Sequence, residues 1–184
     1  MTDILAKYDE PWKEAIRTYL EPLFAFFFAD IHAQIDWSHP YRVLDKELSE
    51  LVGGSETGTQ VSDLLFEVKL LTGQPAWILI HVEVQSPYES GFPERIYRYN
   101  YRAFDKYSQP VVSVAILGDE RPWWRPQSYG YSLGSYRLSL EFPTVKLLDY
   151  QQRWPELEAS SNPFAIMVMA HLKTKATTGD FPER

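Results

Sequence analysis

The strongest constraint on this chain is a change of period near its middle. From Val61 to Leu70, and again from Ala76 to Gln85, residues alternate with period two and are rich in β-branched types, whereas the segments on either side repeat their apolar residues at helical spacing. Thr72-Gly73-Gln74-Pro75 supplies turn-forming residues between them, so the two segments are expected to form a β-hairpin. Side chains alternate across a strand. Asp63, Leu65, Glu67 and Lys69 therefore share one face of the first strand. Trp77, Leu79, His81, Glu83 and Gln85 share one face of the second, while Ile78, Ile80, Val82 and Val84 point into a core. A turn centred on Gly73 sets Asp63 across from Glu83 and Leu65 across from His81. Facing positions of an antiparallel pair have Cβ atoms roughly 4.5–5.5 Å apart, and like charges placed so repel. A divalent cation held by both carboxylates would offset that repulsion, and hard oxygen ligands favour magnesium or manganese. Solvation of both groups on an exposed face, or a proton retained by one of them, would do so as well.

Around the hairpin the pattern is helical. Residues 11–35 read as a helix with Pro11 at its first position, Trp12, Ile16, Tyr19, Leu20, Leu23 and Phe27 at helical spacing, and Pro22 as a point of kinking. A second helix over 43–52 places Leu44, Leu48 and Leu51 on one face and stops at Gly53-Gly54. A third is expected over 89–108, followed by a buried strand over 111–117. Weaker strands over 129–131, 136–141 and 144–148 form a meander before helices near 154–159 and 162–171. No repeat or linker divides the sequence, so residues 1–184 are read as one α/β domain with a central mixed sheet flanked by helices. The polar run 178–184 closes on no element, which suggests that a C-terminal helical region follows in a longer chain.

Composition narrows the chemistry. The 184 residues include no cysteine, which excludes disulfides, cysteine-ligated zinc, iron–sulfur clusters and thiol nucleophiles. Net charge is −7, so contact with nucleic acid would need a local basic patch. Arg95, Arg98, Arg102 and Lys106 provide one, at spacings that share a helix face, with Tyr97, Tyr101 and Phe104 as a neighbouring stripe of core or interface character. Four cations in line could neutralise phosphates of a duplex or, equally, form an ordinary solvated face that pairs with nearby acids. The apolar run Leu23–Ala29 is far short of the roughly 20 residues that span a bilayer, and no basic, apolar leader opens the chain, so a cytoplasmic protein without membrane contact is expected. His81-x-Glu83 imitates a zinc-deaminase pair but has no cysteines to complete it. His32, His39 and His171 lack metal-ligand spacing, and neither a G-x-S-x-G elbow nor a P-loop is present. Trp123-Trp124, set between prolines, is expected to pack against the sheet edge or anchor a partner.

Ser62-Asp63 on one strand, then Ile80-His81-Val82-Glu83-Val84-Gln85 on the next, resembles the PD-(D/E)xK nucleases in the form with Gln in place of Lys. More narrowly the chain is similar to the bacterial Rpn group of recombination-promoting nucleases and putative transposases. Phe92-Pro93-Glu94-Arg95, Tyr99-Asn100, Pro110-Val111-Val112, Ala115-Ile116-Leu117 and Asn162-Pro163-Phe164-Ala165 extend the resemblance over most of the chain. It implies a restriction-endonuclease-like core and magnesium-dependent hydrolysis of DNA phosphodiester bonds, with Asp63 and Glu83 as metal ligands. Gln85 would stand where many relatives carry the lysine that orients water, able to donate and accept hydrogen bonds but bringing no charge. The early-helix glutamate of the superfamily would be Glu47, with Glu50 as the other candidate, each also readable as a solvated helix residue. Arg95, Arg98 and Arg102 would contact DNA. A nuclease fold that has lost activity and serves DNA binding or protein interaction is the alternative, and an acidic-site hydrolase for another substrate a third. Target sequence, biological role and oligomeric state, a homo-oligomer included, are left open.

Overall fold

The alternating hairpin lies in the middle of a five-stranded sheet. A computed structural model describes residues 2–52, 63–83 and 88–178. It begins with helices α1 (Thr2–Thr18), α2 (Leu20–Phe27) and α3 (Ala29–His32), then β1 (Arg42–Val43) and α4 (Asp45–Val52). The hairpin strands β2 (Asp63–Lys69) and β3 (Pro75–Glu83) follow, then α5 (Phe92–Tyr107) and β4 (Val111–Leu117). A second hairpin, β5 (Ser128–Leu133) and β6 (Tyr136–Glu141), precedes β7 (Thr144–Lys146), a 3₁₀ segment (Leu147–Arg153), α6 (Trp154–Ala159) and α7 (Pro163–Thr178). The main sheet has the order β1-β2-β3-β4-β7, antiparallel among the first three strands and parallel among β3, β4 and β7. It is a mixed α/β fold with helices on both faces, as the periodicity predicts.

One layer is α1, α2 and α7. Their Trp12, Ile16, Leu20, Leu23, Phe24, Phe164 and Val168 pack on Leu64, Phe66, Ile78, Ile80 and Val82, the face marked as core by alternation. A fully buried ring such as Phe24 contributes roughly 1.5–3 kcal/mol of transfer free energy. On the opposite face α4 and α5 bring Leu44, Leu48 and Tyr99 against Leu65, Trp77 and Leu79, while Phe92 and Ile96 cover Ala115 and Leu117. The face that carries Asp63, expected to be polar and in part solvated, is therefore buried too. Strand periodicity reports which side chains share a side; it does not report what covers that side.

Three expectations are corrected. The helix over 11–35 is interrupted at Tyr19 (φ −125°, ψ 46°) and Phe28 (φ −138°, ψ 58°), neither of which is helical. The break at Tyr19 falls in the turn before Pro22, whose ring has no N–H for the Thr18 carbonyl, so the expected kink is a full interruption with Pro22 in the first turn of α2; Pro11 lies inside α1 because that helix begins upstream of it. The meander also does not form. β5 and β6 pair only with each other, and β7 joins the main sheet beside β4. Finally, the segment from Leu147 onward turns into the 3₁₀ helix instead of continuing the strand. The glycine stop at Gly53-Gly54 lies outside the described residues.

Candidate functional site

The first hairpin turns one residue earlier than its composition suggests. The Leu70 N–H donates to the Gln74 carbonyl and the Gly73 N–H to the Leu70 carbonyl, both at 2.8 Å, leaving Leu71, Thr72 and Gly73 as the loop. Gly73 takes φ +85°, the left-handed conformation that glycine adopts without steric cost and that ends this kind of three-residue turn. Centring on Thr72 shifts the register by two, so Asp63 faces His81 and Leu65 faces Leu79, not Glu83 and His81. A shift of two leaves every face assignment intact. Direct apposition of two carboxylates, and the repulsion argued from it, does not hold.

Asp63 opens β2 and is buried, with its side chain at 0% exposure, as is that of His81. The His81 Nδ1 lies 3.2 Å from the Asp63 Oδ1. This is ion-pair distance without hydrogen-bond angles: among the described residues, neither carboxylate oxygen and neither ring nitrogen has a hydrogen-bond partner. Burial alone would push the Asp63 carboxyl upward, but the His81 imidazole, with help from Arg95 on α5 and Lys13 on α1, holds it below its ordinary 3.8. His81 is fixed by rings of α5, the Tyr99 ring stacked on it at 6.2 Å and the Phe92 ring edge-on at 6.2 Å. A buried polar group without a hydrogen bond is costly, of the order of 1–3 kcal/mol, and requires an explanation. Here four such atoms meet at one point.

Glu83 ends β3, two residues beyond His81 and opposite Leu117 of β4. Its backbone is thus one diagonal step from Asp63, a separation of roughly 7–8 Å that carboxylates can close around a shared ligand. The Glu83 side chain and all of Gln85 lie outside the described residues. Among the described residues no three His, Asp or Glu side chains form a metal-holding group. Asp63 nevertheless fits a hard cation, with two buried anionic oxygens that have no hydrogen bond among the described residues.

The remaining candidates are spread out. Glu47, half-buried on α4, is turned toward the far end of α5. There the Glu50 carboxylate accepts a hydrogen bond from Lys106 at 3.2 Å and holds that ammonium above its usual value, with a smaller contribution from Glu47. The Tyr107 ring next to it stacks on Trp77, which lies four residues, or about 13 Å, along the strand from His81. Glu47 is therefore not brought to Asp63. The basic stripe on α5 is also divided. Arg95 has only 11% of its side chain exposed, with its guanidinium over the Phe92 ring and 3.5 Å from Glu89, and its field reaches Asp63. Arg98 pairs with Glu94 at 2.9 Å. Arg102 is half-buried one turn further on. A cavity of about 570 Å³ lined by Gln127, Ser128, Glu141, Phe142 and Pro143 lies at the root of the second hairpin, away from Asp63 and with little chemistry of its own.

Sequence reasoning missed two things. One is His81 as the neighbour of Asp63. The other is a buried ion pair at the same end of the sheet, in which the Lys146 Nζ donates to the Asp119 carboxylate, itself held by the Arg121 N–H at 2.9 Å. A lysine between Val145 and Leu147, inside an apolar strand, was the available signal. Of the tryptophan pair, Trp124 is buried against Phe92 and Trp123 is 67% exposed. His171 is buried and its Nε2 donates to the Gly118 carbonyl at 2.9 Å, while His39 pairs with Asp36 and His32 stacks on Trp37. Among the described residues no helix is long and apolar enough to cross a membrane. Comparison with protein-family models, with curated proteins and with solved structures finds no match.

Proposed function

We propose that the chain is a magnesium-dependent DNA endonuclease built on a restriction-endonuclease-like core, and that Asp63 and Glu83 hold the metal. The observation that carries this reading is Asp63, an acid buried in its charged form whose oxygens have no hydrogen bond among the described residues, its backbone one diagonal step from that of Glu83. The motif Asp63…Glu83-x-Gln85 and its resemblance to the Rpn nucleases support the same reading. Bound magnesium, or manganese, would polarise a scissile phosphate and lower the pKa of an attacking water. Gln85 would orient that water by hydrogen bonding, and His81 would keep the Asp63 carboxylate in place. Arg98 and Arg102 would meet phosphates, whereas Arg95 acts inward on Asp63. Glu47 is not required. A role in recombination or transposition would follow from the family alone.

The test is nicking of supercoiled plasmid with magnesium, with and without chelator, by the wild type and by Asp63→Asn. Cleavage that needs the metal and vanishes in the variant is expected; a folded wild type that never cleaves at any magnesium concentration would sink the proposal. A second reading, a nuclease-type fold kept for binding alone, is favoured by the His81 contact, since an imidazole 3.2 Å from the Asp63 Oδ1 crowds the oxygen that a metal needs.

A further inference from the structure

The second hairpin is amphipathic in a way the rest of the molecule does not use. Its register pairs Tyr129 with Leu140, Tyr131 with Leu138 and Leu133 with Tyr136, so all six side chains of one face are apolar or aromatic. Ser128, Gly130, Ser132, Arg137, Ser139 and Glu141 make up the other face. The apolar face stays largely uncovered: Leu133 is 83% exposed, Tyr136 55% and Tyr131 49%. It continues onto α5, where Tyr97 stacks on Tyr129 at 5.0 Å and Tyr101 follows at 6.4 Å, half exposed, with Phe104 one turn beyond.

We infer that this face is a homodimer interface, and that its occupant is the same face of a second copy of the chain. Three observations select that partner. First, the six hairpin positions carry no charge, so the hairpin part of the face offers nothing to neutralise phosphates or to match a charged peptide. Second, the rings are already stacked on one another, Tyr97 on Tyr129 and Tyr131 on Tyr136 at 5.9 Å, which takes up one π-face of each and leaves fewer for bases of a single strand. Third, the area is right. Each half-exposed aromatic leaves about 100 Å² accessible, so four of them with Leu133 present roughly 500 Å² per chain, and two copies about 1,000 Å². That meets the lower bound of about 1,000 Å² for a biological interface, the size of a weak, concentration-dependent dimer. A flat apolar hairpin face is self-complementary about a twofold axis, the commonest symmetry of soluble oligomers. Two such faces would pack about 10 Å apart, as stacked sheets do.

Sedimentation velocity on the full chain over a wide concentration range tests the inference, with Leu133→Glu in the apolar face and Arg137→Glu in the polar face. Both positions are exposed, so neither change perturbs the core, and circular dichroism confirms the fold. The wild type and Arg137→Glu should shift to twice the monomer mass as concentration rises, and Leu133→Glu should remain monomeric. A wild type that stays monomeric throughout, or a Leu133→Glu variant that dimerises as well as the wild type, overturns the assignment. Fluorescence anisotropy with a single-stranded oligonucleotide is run alongside. Binding by a monomeric wild type that Leu133→Glu abolishes would give the face to nucleic acid instead.

Discussion

Asp63 and Asp119 are withdrawn from water to the same extent, 4% and 5% exposed, at the same end of the central sheet, and their surroundings differ completely. Asp119 receives the Lys146 ammonium and a backbone N–H, and Lys146 in turn lies over the Trp124 ring and near its carbonyl. Burial pulls Lys146 below its ordinary 10.5 in spite of Asp119, which shows how far from water the pair sits. Asp63 has a neighbour at ion-pair distance but, among the described residues, no hydrogen bond to either oxygen. The first acid is used up by the fold, tying the loop after β4 to β7. The second has bonding capacity that the fold leaves idle, which is what a ligand-binding carboxylate requires.

The comparison breaks if the two acids prove energetically alike. The largest effect is expected from Lys146→Met, which strands the Asp119 charge in a buried site and should cost about 3–5 kcal/mol in urea unfolding. Asp63→Asn should cost less than about 2 kcal/mol, since the lost attraction to His81 is partly offset by relief of desolvation. It should also remove any magnesium-induced rise in melting temperature, which Lys146→Met, if folded, retains. A larger loss from Asp63→Asn than from Lys146→Met would reverse the roles assigned here.

His171 belongs to the saturated end, bonded to Gly118 beside Asp119. Burial keeps its imidazole below the ordinary 6.5. The unfolded chain therefore binds the proton more readily, and stability that is complete above pH 6.5 is lost as the pH falls through that value, by at most about 1.4 kcal/mol per pH unit. His171→Gln should flatten the stability curve between about pH 7 and about pH 5. An unchanged slope would assign that acid sensitivity elsewhere. The smallest effect is expected where the same chemistry meets solvent. Arg125 and Asp149 form a bidentate pair at 2.6 Å, but both side chains are more than 40% exposed, and Arg125→Ala should cost under about 1 kcal/mol and less in high salt.

Much of this arrangement is legible in the sequence, with a consistent boundary. Alternation placed Asp63, Leu65, Leu79 and His81 correctly by face, because a strand's period is fixed by its own backbone. It misassigned the residue opposite Asp63, because register depends on which residue of Leu71-Thr72-Gly73 sits at the centre of the turn. β6, β4 and α6 match their expected limits because Gly, Pro and Ser beside these short segments mark where they begin or end. The Lys146–Asp119 pair joins β7 to the loop after β4, residues 27 apart, and no local pattern encodes it. The burial of the Asp63 face was hidden for the same reason, since its cover comes from α4 and α5, which lie outside the hairpin that carries the alternation. The resemblance directed attention to Asp63 and Glu83, whereas the neighbour that holds Asp63 emerged only from the register.

The three-residue loop between β2 and β3 also sets an order of assembly. Strands joined by so short a loop close on a microsecond timescale, whereas β7 must find β4 across the whole of the second hairpin. We expect the Leu65–Leu79 pairing to be formed in the folding transition state and the Val145–Ile116 pairing to follow it. Leu79→Ala should then slow refolding, and Val145→Ala should chiefly accelerate unfolding; the opposite pattern in stopped-flow chevrons would place the nucleus at the other edge. On this order Asp63 and His81 meet while still hydrated, and the docking of α5 strips the water from them.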